Sequence, residues 1–529
     1  MQSPQPLKTP VLIVGAGVTG AGLARDLALR GVGAMVLEKS DFNNGASGAN
    51  HGLLHSGARY VESDPAAACE CRRENSLLKR LAPQCIDIAG GLFVAVQGDN
   101  EHYIADFPLL CEQCAIETHA LPVDQVAVME PALSKEIIAA YAVNDAAIDP
   151  FKLTLDNLVH ARQLGASLTR YTRLAGLSIH NRRIDTVTIE ETRTGRTYRI
   201  EPEVVVNAAG AWANQVAAMA GIKIPMHYSK GSLLVTDTRL ARQVINRLRK
   251  ATDADILVPG GTVSILGTTS VRVESPDRVY PEISEVDLLI DEGSAMVPVL
   301  ATARYIRAYC GVRPLVGSGD SDDDRDLSRG YALMDHADDG VDNLITITGG
   351  KLTTFRLMAE RTADLVCRHL GIDTPCRTSQ EPLPDSIDGK WTEAGLAPRE
   401  WVRADTPGDQ LLCECEMVSQ RVLDDLIAAI GRQEGIPTLE AISRRSRIGK
   451  GPCQGTFCSQ RVTSDLYNRG IYRGRQGREN LRAFLNERWR GQHPLLWGTA
   501  LMQAELLEAM YCGLFGLELP PEDPPPRSE

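Results

Sequence analysis

Apolar positions along this chain cluster in two ways, and each predicts a different kind of element. Val11-Leu12-Ile13-Val14, Val204-Val205-Val206 and Leu344-Ile345-Thr346-Ile347 are nearly unbroken apolar runs, the pattern of strands buried in a parallel sheet. Each ends in small residues: Gly15-Ala16-Gly17, Asn207-Ala208-Ala209-Gly210 and Thr348-Gly349-Gly350-Lys351. That sets three loops at the carboxyl edge of one open sheet, where such folds bind ligands. After the first run, Ala21, Ala24, Leu27 and Ala28 recur at helical spacing and are small enough for close packing on a sheet. A second strand follows at Ala34 to Leu37.

Gly91 to Val143 and His227 to about Tyr331 read differently, with alternating strand-like runs such as Gly231-Ser232-Leu233-Leu234-Val235 and Ser264-Ile265-Leu266-Gly267. The expected fold class is α/β, α+β overall. A Rossmann-like domain is assembled from pieces at about 1–90, 144–226 and 332–375, and a mostly antiparallel domain is inserted as about 91–143 and 227–331. Ser318 to Asp326 is a charged, exposed loop. Pro, Asp, Thr and Gly dominate 376–409, which reads as a linker. A small helical domain at 410–475 and a helical tail at 476–529 follow, and the proline-rich, acidic Pro520 to Glu529 is expected to be disordered.

Charge and composition narrow the function. The net charge is −12 with no long basic run, which argues against nucleic acid and requires any anionic substrate to find a local basic pocket. No stretch of 18 apolar residues is present, and the polar, proline-bearing first ten residues lack signal-peptide character. Thirteen cysteines without an export signal are therefore expected to be reduced thiols in the cytoplasm.

The turn after the first strand carries chemistry. Gly15-Ala16-Gly17-Val18-Thr19-Gly20 lies between strand and helix, and Glu38 closes the second strand 18 residues after Gly20. A dinucleotide uses each part. Gly15 permits the tight turn, Gly17 lets backbone approach the pyrophosphate at the helix N-terminus, and Gly20 lets helix pack on strand. An acid at Glu38 accepts hydrogen bonds from the adenosine ribose.

Four cysteines are paired rather than scattered. Cys413 and Cys415 are one residue apart, Cys453 and Cys458 four apart, and 37 residues lie between the pairs. The amphipathic stretch Val422 to Ile430 could return the chain so that both pairs meet in one tetrathiolate site. The glycines around Cys453 leave N–H groups for sulfur. A [2Fe-2S] cluster fits this spacing; structural zinc prefers gaps of two to four residues, and unrelated thiols are the third reading.

Longer motifs carry a resemblance. They are His51-Gly52-Leu53-Leu54-His55-Ser56-Gly57-Ala58-Arg59-Tyr60, Asp253 to Gly260, Tyr309 to Leu315, Ile347 to Thr354 and Phe484-Leu485-Asn486-Glu487-Arg488-Trp489. Over nearly its full length the chain resembles the FAD-dependent glycerol-3-phosphate dehydrogenases of the anaerobic, multisubunit type. Its first 370 residues look like the wider D-amino-acid-oxidase-type flavoproteins, and its cysteine segment like the small domain of bacterioferritin-associated ferredoxin.

The resemblance implies FAD, sn-glycerol 3-phosphate as substrate and dihydroxyacetone phosphate as product. It also implies electron transfer through the [2Fe-2S] cluster to partner subunits and membrane menaquinone in anaerobic respiration. The complex would lie in the cytoplasm, attached peripherally to the inner membrane through those partners. Position by position, Arg59, Tyr60, Arg313, Arg329 and Lys351 match substrate-side residues, and cations, arginines above all, suit a phosphate ester. Arg313, His55 and Lys351 are the candidate catalytic groups, with Arg313 orienting the reacting oxygen and His55 accepting its proton. Ser47, Asn50, Gly210, Gly349, Gly350, Leu352 and Thr353 join Gly15, Gly17, Gly20 and Glu38 around the cofactor. Ser56 and Ser270 depart from the aerobic relatives, which carry glycine and an acid there. The alternative is an FAD and iron-sulfur dehydrogenase of another 2-hydroxy acid or an amino acid; a non-catalytic electron-transfer protein is the reading from another class.

Overall fold

The computed structural model describes residues 6–317, 330–386, 388, 397–404, 406–434 and 437–517. The stretch Ser318 to Asp326, Arg329, part of the proposed linker and the acidic C-terminal end lie outside them.

The apolar runs form one parallel core. Ser167–Thr169, Ala34–Leu37, Leu7–Val14, Thr197–Asn207 and Leu344–Gly349 are adjacent and parallel, with Val11 opposite both Ala34 and Val204. Burial on both faces explains the runs. Val11 and Ile13 pack beneath the helices Val18–Leu29, Pro150–Gln163 and Phe355–Leu370, while Leu12 and Val14 pack under the ribbon Thr172–His180 and Arg183–Glu191. Each such side chain, taken fully out of water, contributes about 1.5–3 kcal/mol. Gly20 serves this packing: a Cβ there would lie 2.0 Å from the Gly15 carbonyl oxygen.

The inserted segments build a nine-stranded sheet centred on Met226–Thr236, which pairs antiparallel with Tyr305–Val316 along eleven partners. Two features differ from the expected antiparallel strands. Val244–Arg247 pairs parallel to Gly91–Val96, and the 91–143 segment contains the helices Glu101–Gln113 and Val123–Met129. The first packs Phe107 and Cys111 on the face bearing Phe93 and Ala95, and the second packs Val126 on the opposite face bearing Leu92, Val94 and Val96.

Residues 374–386, at the start of the proposed linker, are strapped onto the parallel domain. Leu383 is buried and donates its N–H to Leu81 O (2.7 Å), Arg25 donates to the carbonyls of Glu381 and Pro382, and Lys152 reaches Asp385 at 2.6 Å.

The cysteine segment folds as a two-stranded hairpin (Leu411–Cys413 and Val418–Ser419) with the helices Gln420–Glu434, Leu439–Arg444 and Cys458–Asn468. Its core includes Leu423, Leu426, Ile442, Val462 and Phe484, the last from the tail helix Gln476–Gln492. A buried ion cluster ties it to the rest. Asp41 accepts from Arg170 of the parallel domain and from Arg445 (3.0 Å), while Arg444 donates to Phe42 O and Asn44 Oδ1, both at 2.7 Å.

Candidate active site and cysteine centre

A cavity of about 580 Å³ runs from the glycine-rich turn to the strand bearing Arg313, a volume within the roughly 300–1,000 Å³ usual for ligand sites. Its nucleotide end is built by backbone. Gly15 has φ +113°, and a Cβ there would stand 2.6 Å from Ala208 O, so glycine alone fits between the two loops. Glu38 accepts hydrogen bonds from Ala16 N (3.0 Å), Ser40 N and Ser40 Oγ, so its carboxylate braces the turn. Ser47 Oγ accepts from Val18 N at 3.0 Å, at the N-terminus of the first helix.

The other end is cationic. Arg313 donates Nη1 to Thr269 O (3.1 Å) and Nη2 to Thr268 Oγ1. Gly231 leaves the space for its guanidinium, since a Cβ there would lie 2.4 Å from Nη2. Arg59 pairs with buried Asp255 at 3.0 Å, and its Nη1 meets no partner among the described residues. Lys351 Nζ stands 4.6 Å from the Tyr60 ring centre, and the Tyr60 hydroxyl is 3.4 Å from His55 Nε2. Lys351 sits at the turn opening the short helix Leu352–Thr354, which runs into Phe355–Leu370. An anion thus meets two guanidiniums, an ammonium and a helix N-terminus at one end of the cavity.

The site-residue expectations resolve unevenly. Gly15, Gly17, Glu38, Ser47, Asn50, Gly210, Gly349, Gly350 and Leu352 line the cavity with His55, Arg59, Tyr60, Arg313 and Lys351. Thr353 is not in its wall. It is buried, and its hydroxyl accepts the His55 N–H at 3.1 Å, so it positions the histidine's backbone. Gly20 lies beneath the turn, and Arg329 is outside the described residues.

One wall residue escaped the sequence reading. His51 opens the same motif as His55 and lies in the cavity wall. Burial, then the positive charges of Arg313 and Arg59, push its imidazole down to about 3, so it is neutral at physiological pH. Its place at the head of the motif was the available signal, but the two arginines beside it come from distant strands and loops.

The four cysteines meet. Cys413 and Cys415 Sγ are 3.6 Å apart and Cys415 and Cys453 Sγ 3.8 Å, while Cys458 contacts both Cys413 and Cys453. These sulfurs lie within contact distance of one another. Among the described residues no group of three or more His, Cys, Asp or Glu converges as a single-ion site. Contacts from Cys415 and Cys458, and the backbone amides of Phe457 and Gly455, hold the Cys453 thiol far below its ordinary range. Gly451 is required here, because a Cβ would stand 2.7 Å from Cys415 Sγ.

Comparison with known proteins matches this architecture. The family described as FAD dependent oxidoreductase covers residues 10–365. An anaerobic glycerol-3-phosphate dehydrogenase chain of Escherichia coli K12, one component of a multisubunit enzyme, is 42% identical over 97% of this chain and 98% of its own. The chain belongs to this anaerobic glycerol-3-phosphate dehydrogenase family. The corresponding chain of Haloferax volcanii is 37% identical over 98% of this one and 92% of its own. The X-ray structure of Bacillus halodurans glycerol-3-phosphate dehydrogenase complexed with FAD superposes with a TM-score of 0.64 at 21% identity, covering 94% of this chain and 97% of that one. The fold is therefore the D-amino-acid-oxidase-like one that the resemblance implied, and the match to the Escherichia coli chain spans both the cavity and the cysteines. Among the described residues no helix is long and apolar enough to cross a membrane.

Proposed function

We propose that this member of the anaerobic dehydrogenase family is the catalytic chain that oxidises sn-glycerol 3-phosphate to dihydroxyacetone phosphate with FAD. The observation that carries this is the single cavity joining a nucleotide-type glycine turn to Arg59, Arg313 and Lys351. The cavity fits FAD by its lining: the N-terminus of helix Val18–Leu29, where Gly17 lets backbone approach, for the pyrophosphate, Glu38 for the ribose, and the Gly349-Gly350 turn for the ring system. When bound, FAD supplies a two-electron acceptor for the hydride leaving C2 of the substrate.

The chain's own residues do the rest. Arg59 and Lys351 hold the phosphate dianion. Arg313, fixed by Thr268 and Thr269 in the cavity wall, stabilises the negative charge that grows on the C2 oxygen. His55 Nε2, beside the Tyr60 hydroxyl, takes the C2 hydroxyl proton. Arg329 belongs to the same substrate set by its motif. Cys413, Cys415, Cys453 and Cys458 hold a [2Fe-2S] cluster that passes electrons to partner subunits, and through them to menaquinone at the inner membrane. Support for the cluster is the one-residue gap of the first pair, the sulfur spacings and the need for a one-electron carrier beside a two-electron cofactor.

An anaerobic absorbance titration of the purified chain tests the substrate. Bleaching of the flavin bands by sn-glycerol 3-phosphate, with glycerol 2-phosphate inert, is the expected result. Bleaching by a 2-hydroxy acid or amino acid instead would overturn it.

A further inference from the structure

A second cavity, of about 870 Å³, lies between the oxidoreductase body and the cysteine domain. Ala49, Asn50 and His51 belong to the walls of both cavities, and Lys450 and Gln454 of the cysteine loop line the second. This space therefore separates the flavin side from the four thiols. Its walls carry five cations, and the pairing of three is plain: Arg307 with Glu487 at 3.0 Å, Arg444 with Glu440 at 2.7 Å, and Arg447 with Glu416. Lys450 lies 4.4 Å from the Phe151 ring centre.

Arg488 differs. Among the described residues it forms no salt bridge. Its Nη2 donates to Ser443 Oγ at 3.0 Å, its Nε meets no partner, and its guanidinium lies 5.1 Å from the Phe484 ring centre. The neighbouring Glu487 carboxylate is taken by Arg307 and Arg490. Burial, aided by repulsion from Arg307, pushes Arg488 down to about 9; Glu487 and Cys458 act in the opposite direction. A part-buried guanidinium in this state is costly unless a negative charge stands nearby. Phe484, beneath the Arg488 guanidinium, packs on Gly449 and Gly455 of the loop that carries Cys453, where a Cβ would stand 2.5 and 2.6 Å from its ring, so thiolates on a cluster there provide that charge and each electron taken up adds to it.

We propose that Arg488 is the part-buried counter-charge of the cysteine centre and raises the potential at which that centre accepts an electron. The inference rests on the reading of the four cysteines as cluster ligands. It gives a role to the Phe484 to Trp489 motif, which the flavin chemistry leaves unused. Arg488 acts through the field it sets up and touches no substrate, so it is a positioning residue. The reduced cluster carries more negative charge than the oxidised one, so a fixed cation favours the reduced form.

The test is an EPR-monitored redox titration of the FAD- and cluster-loaded protein, with iron and acid-labile sulfide measured on the same samples. Arg488→Gln should shift the cluster's reduction equilibrium about tenfold toward the oxidised form, a fall of about 59 mV for one electron. Arg488→Lys, which keeps the charge, should stay close to wild type. Flavin bleaching by sn-glycerol 3-phosphate should be unchanged in both. Arg488→Met keeps an apolar stem against Phe484 and gives the same readout if the glutamine variant does not fold. Full iron and sulfide with an unmoved midpoint in the neutral variants would overturn the counter-charge and leave the cluster standing. Equal falls in the lysine and neutral variants would make the role one of packing and overturn it too. Wild-type protein with zinc, or without iron and sulfide, would remove the cluster and this inference together.

Discussion

The glycine-rich turn and the cysteine loop both aim backbone amides at a negatively charged group, yet they are braced by different means. At the turn, Glu38 holds Ala16 N and Ser47 holds Val18 N, and the strands beneath are buried on both faces. The chain has thus finished this site with its own polar groups. At the cysteine loop the sulfurs lean on one another, with Cys453 held low by its neighbours, and a small core lies beneath. On the cluster reading, that site is completed by a cofactor that carries the opposing charge. Between them lies the Asp41, Arg170 and Arg445 cluster. The two halves of the proposed reaction should therefore fail independently, while damage to the seam should reach both.

Arg313→Ala would break the comparison most sharply. It removes the guanidinium proposed to stabilise the reacting oxygen, and kcat/KM for sn-glycerol 3-phosphate should fall about a thousandfold, ~4 kcal/mol. The flavin spectrum and the iron content should stay as in the wild type, as measured by steady-state assay with an artificial acceptor beside absorbance.

Asp41→Asn acts on the seam. Burial favours the protonated carboxyl, but Arg445, Arg170 and Arg444 outweigh it and hold Asp41 well below the usual carboxylate range. Losing the charge leaves two buried arginines uncompensated and should cost about 3–5 kcal/mol. The sign of the pH effect follows from the depressed folded-state value. The stabilisation is present above the ordinary carboxyl range and is lost as pH falls through the folded-state value. The variant should thus show a lower Tm at neutral pH and a weaker acid dependence than the wild type, by calorimetry.

Cys453→Ser should have the smallest effect on substrate oxidation. Flavin bleaching stays, while transfer to the natural acceptor is lost. Full-rate reduction of that acceptor would separate the cysteines from electron transfer.

How much could be read in advance depended on how local each feature was. Gly15, Gly17 and Glu38 belong to one strand-turn-helix-strand unit, so their partnership follows from spacing. The paired cysteines announce themselves in the same way. The setting of Arg313 does not, because Gly231 and Thr268 to Thr269 arrive from two other strand segments, and the registers of Met226–Thr236 against Tyr305–Val316 and against Val263–Gly267 bring them together. Asp41 and Arg445 are 404 residues apart and look like ordinary surface charges in the sequence. Helix Glu101–Gln113 was hidden because its three buried side chains, Ile104, Phe107 and Cys111, give only a thin apolar stripe.

The strap at 374–386 also bears on where this protein can be divided. The oxidoreductase family match ends at residue 365, yet the segment beyond it seals the body's surface. Leu383 fills a pocket beside Leu81, and Asp385 and the Ser386 carbonyl share the Lys152 ammonium with Asp156. A chain cut at the family boundary would open that pocket and uncover the underside of the helix that begins at Pro150. A cut placed beyond Ser386 keeps these contacts and should leave the flavin-side body better packed than one placed at residue 365, so that is where the cysteine domain is best grafted or excised.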